Sequence, residues 1–90
     1  MSRAPESMQD RPEITYPCDR SYVVVGEGEA ELMAHIERAL DGADHRKRVS
    51  RTSASGRYTS IEVSLVVLDE EQRLVVFRAL QGHPAVRYVI

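Results

Sequence analysis

Hydrophobic positions recur along this chain with two periods, and the switches between them mark out its elements. The run Arg20-Ser21-Tyr22-Val23-Val24-Val25 is β-branched and aromatic, too short for a helix, and ends at Gly26-Glu27-Gly28, so it predicts a first strand. From Glu29 to Leu40 the period changes. Leu32, Ile36, Ala39 and Leu40 fall at i, i+4, i+7 and i+8 on one helix face, and Glu29, Glu31, Glu37 and Arg38 take the solvated side. Asp41-Gly42 closes that helix with a left-handed glycine stop. Residues 49–52 predict a weaker strand, followed by turn chemistry in Ser53-Ala54-Ser55-Gly56. Ile61, Val63, Leu65 and Val67 then alternate with Ser60, Glu62, Ser64 and Val66, the pattern of a strand buried on one side. Asp69, with Gln72 three residues on, starts a second helix in capping-box fashion. Its apolar stripe is Leu74, Phe77 and Leu80, widened by Val76, and Gly82-His83-Pro84 stops it. In the last strand Val86, Tyr88 and Ile90 alternate with Arg87 and Val89, and the first set is expected to face the helices.

The order β-α-β-β-α-β predicts an α+β fold, the ferredoxin-like βαββαβ sandwich: a four-stranded antiparallel sheet with two helices on one face. The first and third strands should be central and the second and fourth should be edges. Arginine and lysine in the second suit an exposed edge, where charge discourages pairing with other chains. Residues 1–15, with Ser2, Pro5, Ser7 and Pro12, read as a disordered lead-in, and residues 16–90 as one domain.

Composition narrows the class. Ninety residues, 42% hydrophobic and 29% charged, make one small folded unit. The longest apolar runs, such as Leu65-Val66-Val67-Leu68, are far below the roughly 20 residues of a membrane span. The first ten residues lack the apolar core of a secretory signal, and the one cysteine, Cys18, has no internal disulfide partner. A cytoplasmic protein without a membrane role is expected. The net charge of −2 is not that of a nucleic-acid-binding polycation.

Three surfaces carry candidate chemistry. Arg46, Lys47, Arg48, Arg51 and Arg57 stand in residues 45–60 with no acid, beside Tyr58, and form a candidate anion or partner patch. Residues 27–44 have the opposite balance, six acids against Arg38. The loop Gly26, Glu27, Gly28 and Glu29 leads into a helix N-terminus, which favours anions. Glu27, Glu29 and Glu31 repel phosphate there, which disfavours a nucleotide site. On the open sheet face Val23, Val25, Val66 and Val89, set among serines and charges, form a candidate interface for a protein partner or for self-association.

The resulting expectation is a non-catalytic regulatory or protein-interaction module. The alternative is weak RNA or nucleotide binding through the basic edge strand and hairpin with Tyr58, a reading disfavoured by the lack of a second exposed aromatic. His35, His45, His83 and Cys18 have no metal-ligand spacing, and no acid/base pair or nucleophile motif stands out. Neither metal, cofactor nor catalytic residue is therefore assigned. His35 reads as a packing residue beside the apolar face of the first helix.

The run Ser53-Ala54-Ser55-Gly56-Arg57-Tyr58-Thr59-Ser60-Ile61 resembles the turn-and-strand hallmark of the YbeD-like family of small bacterial proteins. Tyr16-Pro17, Tyr22, Val24, Gly26 and the ending Val86-Arg87-Tyr88-Val89-Ile90 sit where that family has similar residues, over about residues 16–90. The resemblance implies a ferredoxin-like domain similar to amino-acid-sensing ACT regulatory domains. In those domains the loop equivalent to Gly26, Glu27, Gly28 and Glu29 contacts a small ligand, so a small metabolite at a dimer interface is the ligand expected for it. It implies no established site residues, and its one pathway hint is a link to lipoate metabolism by gene neighbourhood.

Overall fold

A computed structural model describes residues 15–90, so the expected lead-in lies outside the described residues except for Thr15. Strands β1 (Cys18–Gly26), β2 (Arg46–Thr52), β3 (Thr59–Val67) and β4 (Val86–Val89) form one antiparallel sheet in the order β2-β3-β1-β4. Helix α1 (Glu29–Leu40) joins β1 to β2, and α2 (Glu70–Gln81) joins β3 to β4. This is the predicted ferredoxin-like βαββαβ arrangement, with β1 and β3 central. No helix among the described residues is long and apolar enough to cross a membrane.

Alternation along β3 decides which sheet face the helices cover. Ile61, Val63, Leu65 and Val67 are at most 2% exposed, and β1 sets Val24 opposite Ile61 and Tyr22 opposite Val63. Leu32, Ile36 and Leu40 of α1 close over them, with Val76 and Leu80 of α2. Each such aliphatic side chain contributes roughly 1.5–3 kcal/mol by leaving water. Tyr22 is buried among them and spends its hydroxyl on the Arg73 carbonyl at 3.1 Å. His35 is also buried, and its Nε2 donates to the Leu80 carbonyl at 2.9 Å, tying α1 to the end of α2.

The ends of α2 follow from sequence with one change. Asp69 accepts from the Gln72 amide at 2.8 Å, as an N-cap should. The Gln72 side chain reaches Leu68 N at 2.6 Å, one residue before the reciprocal donor of a capping box. The stripe differs as well. Val76 and Leu80 are the buried pair, Phe77 is half-buried against the core, and Leu74 is only half-covered. One helix face cannot turn residues 74, 76, 77 and 80 inward together, and anchoring at Val76 and Leu80 rotates Leu74 toward the edge.

The edge strands differ most from expectation. Strand β2 begins at Arg46 rather than residue 49, because β3 offers partners to Arg46, Lys47 and Arg48 whatever their intrinsic preference. In β4 the expected phase holds at Val86, which packs against the core, and is reversed beyond it. Val89 is 8% exposed and belongs to the core, whereas Tyr88 is 52% and Ile90 71% exposed. The cause is a register shift against β1: Gly26 pairs with Val86, but Val25 pairs with Tyr88, so one extra residue, Arg87, stands in β4. Val89 then falls opposite the inward Val24. Val89 is therefore a core residue and not part of an interface.

Candidate functional site

The pleat divides the predicted basic patch. Arg46 and Arg48 lie opposite Ser64 and Glu62, on the open face, while Lys47 lies opposite inward Val63 and turns toward the helices. There Lys47 pairs with Glu37 of α1, and His45 stands 3.4 Å from the same carboxylate. Lys47, ahead of His45, holds the Glu37 carboxyl below its ordinary range. Arg46 bonds both oxygens of Asp19 through Nη2 at 2.9 and 2.8 Å, and Arg48 reaches Glu62 at 2.6 Å. Arg51 stands beside Ser50 at a second register shift opposite Ser60. A depression of about 200 Å³ lies between Arg46, Lys47, Arg48, Glu62 and Ser64, its cations already matched by carboxylates. The acidic and basic segments thus meet partly within one chain.

The remaining two members of the patch lie elsewhere. Ser53 and Tyr58 close the β2–β3 hairpin: Ser53 N donates to Tyr58 O at 2.8 Å, and Tyr58 N donates to Ser53 Oγ at 3.1 Å. Gly56, at φ 77°, makes the turn that lets them meet. Arg57 and Arg87 both stand over the Tyr58 ring, 5.3 and 5.6 Å from its centroid, within cation–π range.

The predicted ligand loop joins this cluster. Gly26 is buried at the end of β1, and Glu27 N donates to Ala85 O at 3.0 Å. Gly28, at φ 87°, precedes α1 without a side-chain cap, and Glu29 begins the helix. The Glu27 carboxylate stands 3.8 Å from Arg57 and 3.7 Å from Arg87. Loop and hairpin, two separate candidates in the sequence, share one end of the open sheet face.

Along that face Val23 lies opposite Glu62 on one side, and on the other its backbone bonds Ile90 in both directions at 3.1 and 2.9 Å. Val25, between Ser60 and Tyr88, is already buried, and Val66 is 54% exposed. Ser21 and Ser64 bond each other across the two central strands at 2.9 Å. Sequence reasoning placed Arg87 on this face but missed Tyr88 and Ile90. The available signal was Gly26, since a glycine inside a strand often marks a bulge or a close backbone approach.

Among the described residues, no group of three or more His, Cys, Asp or Glu is placed to hold a metal ion. His83 Nδ1 accepts from Ala85 N at 3.0 Å, and its ring lies 4.8 Å from that of His35. Cys18 is half-buried at the start of β1.

Comparison with known proteins places this geometry. The chain is similar to a UPF0250 protein of Paraburkholderia phymatum, 33% identical over 81 residues that cover 86% of this chain and 91% of that protein. A UPF0250 protein of Pseudomonas aeruginosa is 30% identical over 84 residues, covering 88% and 90%. Among solved structures, protein HP0495 of Helicobacter pylori superposes with a TM-score of 0.77 at 23% identity, covering 100% of this chain and 98% of that one. The ACT domain from the GTP pyrophosphokinase of Chlorobium tepidum superposes with a TM-score of 0.60 at 15% identity, covering 80% and 94%, a likeness of fold. The family described as "Protein of unknown function (DUF493)" matches residues 11–90, so this chain belongs to that family, in line with its resemblance to YbeD-like proteins.

Proposed function

We propose that this protein is a non-catalytic interaction module that docks a protein partner on the open face of its sheet, along Val23, Tyr88, Ile90 and Val66. The observation that carries the reading is the reversed phase of β4, which puts Tyr88 and Ile90 in water beside Val23 while the opposite face is filled by helices. Apolar side chains grouped on an otherwise polar surface gain by being covered. The non-catalytic part rests on how polar groups are used. His35 Nε2 and His83 Nδ1 are bonded to backbone, Ser21 and Ser64 to each other, and Arg46 and Arg48 are paired with carboxylates.

The test is affinity capture from native lysate with the wild type, with Val23→Glu/Tyr88→Glu, and with Arg46→Ala/Arg48→Ala, alongside sedimentation velocity. A partner retained by the arginine variant and lost by the face variant supports the reading. A partner indifferent to the face variant rejects it, and a dimer abolished by the face variant identifies the partner as a second copy.

RNA binding is the second reading, favoured by Tyr88 joining Tyr58 on the same face as several arginines. It predicts affinity that falls by orders of magnitude as salt rises, and that is lost in Arg48→Ala/Arg51→Ala.

A further inference from the structure

We infer that Arg57 and Arg87 form a carboxylate-binding fork at the hairpin end of the open face, with Glu27 as its internal occupant, and that the docking partner presents an acidic side chain beside aliphatic ones. The inference rests on the docking reading above and specifies the chemistry of what docks.

Arg57 comes from the hairpin and Arg87 from the bulge in β4, and both converge on the Tyr58 ring. A single oxygen, Glu27 Oε2, answers both, at 3.8 Å from Arg57 Nε and 3.7 Å from Arg87 Nη1. Those separations give Coulomb attraction but lie beyond hydrogen-bond reach. Among the described residues, neither guanidinium makes a side-chain hydrogen bond. Arg46 differs, since its donors are spent on Asp19, and Arg48 is at bonding distance from Glu62. Guanidinium carries five N–H donors in a planar fork that matches a carboxylate, and stacking on Tyr58 holds the fork in place before anything binds. Within ion-pair distance the two guanidiniums share the single Glu27 carboxylate, which leaves one positive charge of the pair unanswered. An incoming carboxylate takes up both the charge and the unused donors.

The rest of the face selects a peptide over a nucleic acid. A polyanion gains by meeting cations at every step. Away from the fork it would pass the Glu62 and Asp19 carboxylates and the aliphatic side chains of Val23 and Ile90. The Tyr58 ring, already under two guanidiniums, has less surface free for stacking a base. An acidic residue flanked by aliphatic ones meets the fork with its carboxylate and Val23, Tyr88 and Ile90 with its neighbours.

Selection of a displayed library of random short peptides on wild type, Arg87→Ala, Arg57→Ala and Glu27→Gln tests this, followed by fluorescence anisotropy with the selected peptide and with a short oligouridylate. All three substituted side chains reach the surface, Glu27 least at 41% exposed, and melting curves confirm that the variants fold. The wild type should enrich peptides with Asp or Glu beside aliphatic residues. Changing that acid to its amide, or removing either arginine, should weaken binding about tenfold, the worth of a charge-assisted hydrogen bond. Glu27→Gln should tighten the acidic peptide roughly threefold by removing the competing carboxylate. Apolar peptides enriched with no preference for an acid would overturn the fork while leaving the docking face standing. Failure to enrich any peptide, or oligouridylate binding more tightly than the selected peptide, would overturn the fork as a peptide site.

Discussion

Gly26 and Ala85 meet backbone to backbone where β1 ends beside the start of β4. A Cβ on Gly26 would overlap the Ala85 carbonyl oxygen and stand 2.9 Å from Leu32 Cδ2. That oxygen also accepts from Glu27 N, so it is not free to move aside. Gly26→Ala should therefore cost about 3 kcal/mol, the upper end for overpacking, in urea denaturation. Gly82→Ala is the control: its methyl meets Ala79 O at an ordinary 3.5 Å, and the change should stay within about 0.5 kcal/mol.

The bulge in β4 makes opposite predictions for neighbouring residues. Val89→Glu places a carboxylate opposite Val24 in the core and should cost more than about 3 kcal/mol. Tyr88→Glu changes an exposed side chain and should cost less than about 1 kcal/mol. Thermal melts of the two variants decide between the bulged strand and a strictly alternating one, which demands the reverse order.

His35 holds two helices together through one proton. Leu80 O can only accept, so Nε2 carries the hydrogen across 2.9 Å. His35→Leu keeps an apolar body in the site and removes the donor, and should destabilise by about 1–3 kcal/mol in chemical denaturation. Stability equal to wild type would mean that the Leu80 carbonyl finds water instead.

Acid should act on Glu70. The Arg73 guanidinium, and after it the Tyr16 hydroxyl at 2.8 Å, hold its carboxyl down to about 2 from the usual 4.5. A carboxylate with a depressed folded-state pKa stabilises fully above the unfolded value and loses that contribution as pH falls through the folded one. Between pH 4.5 and 2, wild type should therefore lose melting temperature more steeply than Glu70→Gln. Parallel profiles would show that the cluster of Tyr16, Glu70 and Arg73 contributes nothing net.

Much of this protein was legible without coordinates. The quartet Ile61, Val63, Leu65 and Val67, the face of α1, the Asp69 cap and the central places of β1 and β3 all follow from local periodicity and composition. The candidate site was legible in pieces. Glu27 was assigned to a loop, Arg57 and Tyr58 to a hairpin, and Arg87 only to the open face, while Tyr88 was placed on the wrong side. Nothing in the chain near residue 88 announces the extra residue, because it exists only relative to β1.

The sequence by itself determined the elements, their order and the inward side of each central strand, since a period of two or 3.6 is a property of consecutive residues. Tertiary structure alone decided that β4 reverses its phase, that Lys47 leaves the basic patch for Glu37, and that Glu27, Arg57, Tyr58 and Arg87 share one end of the sheet. Each of these depends on the register between strands remote in the chain. One residue gained or lost in that register turns every later side chain to the other face.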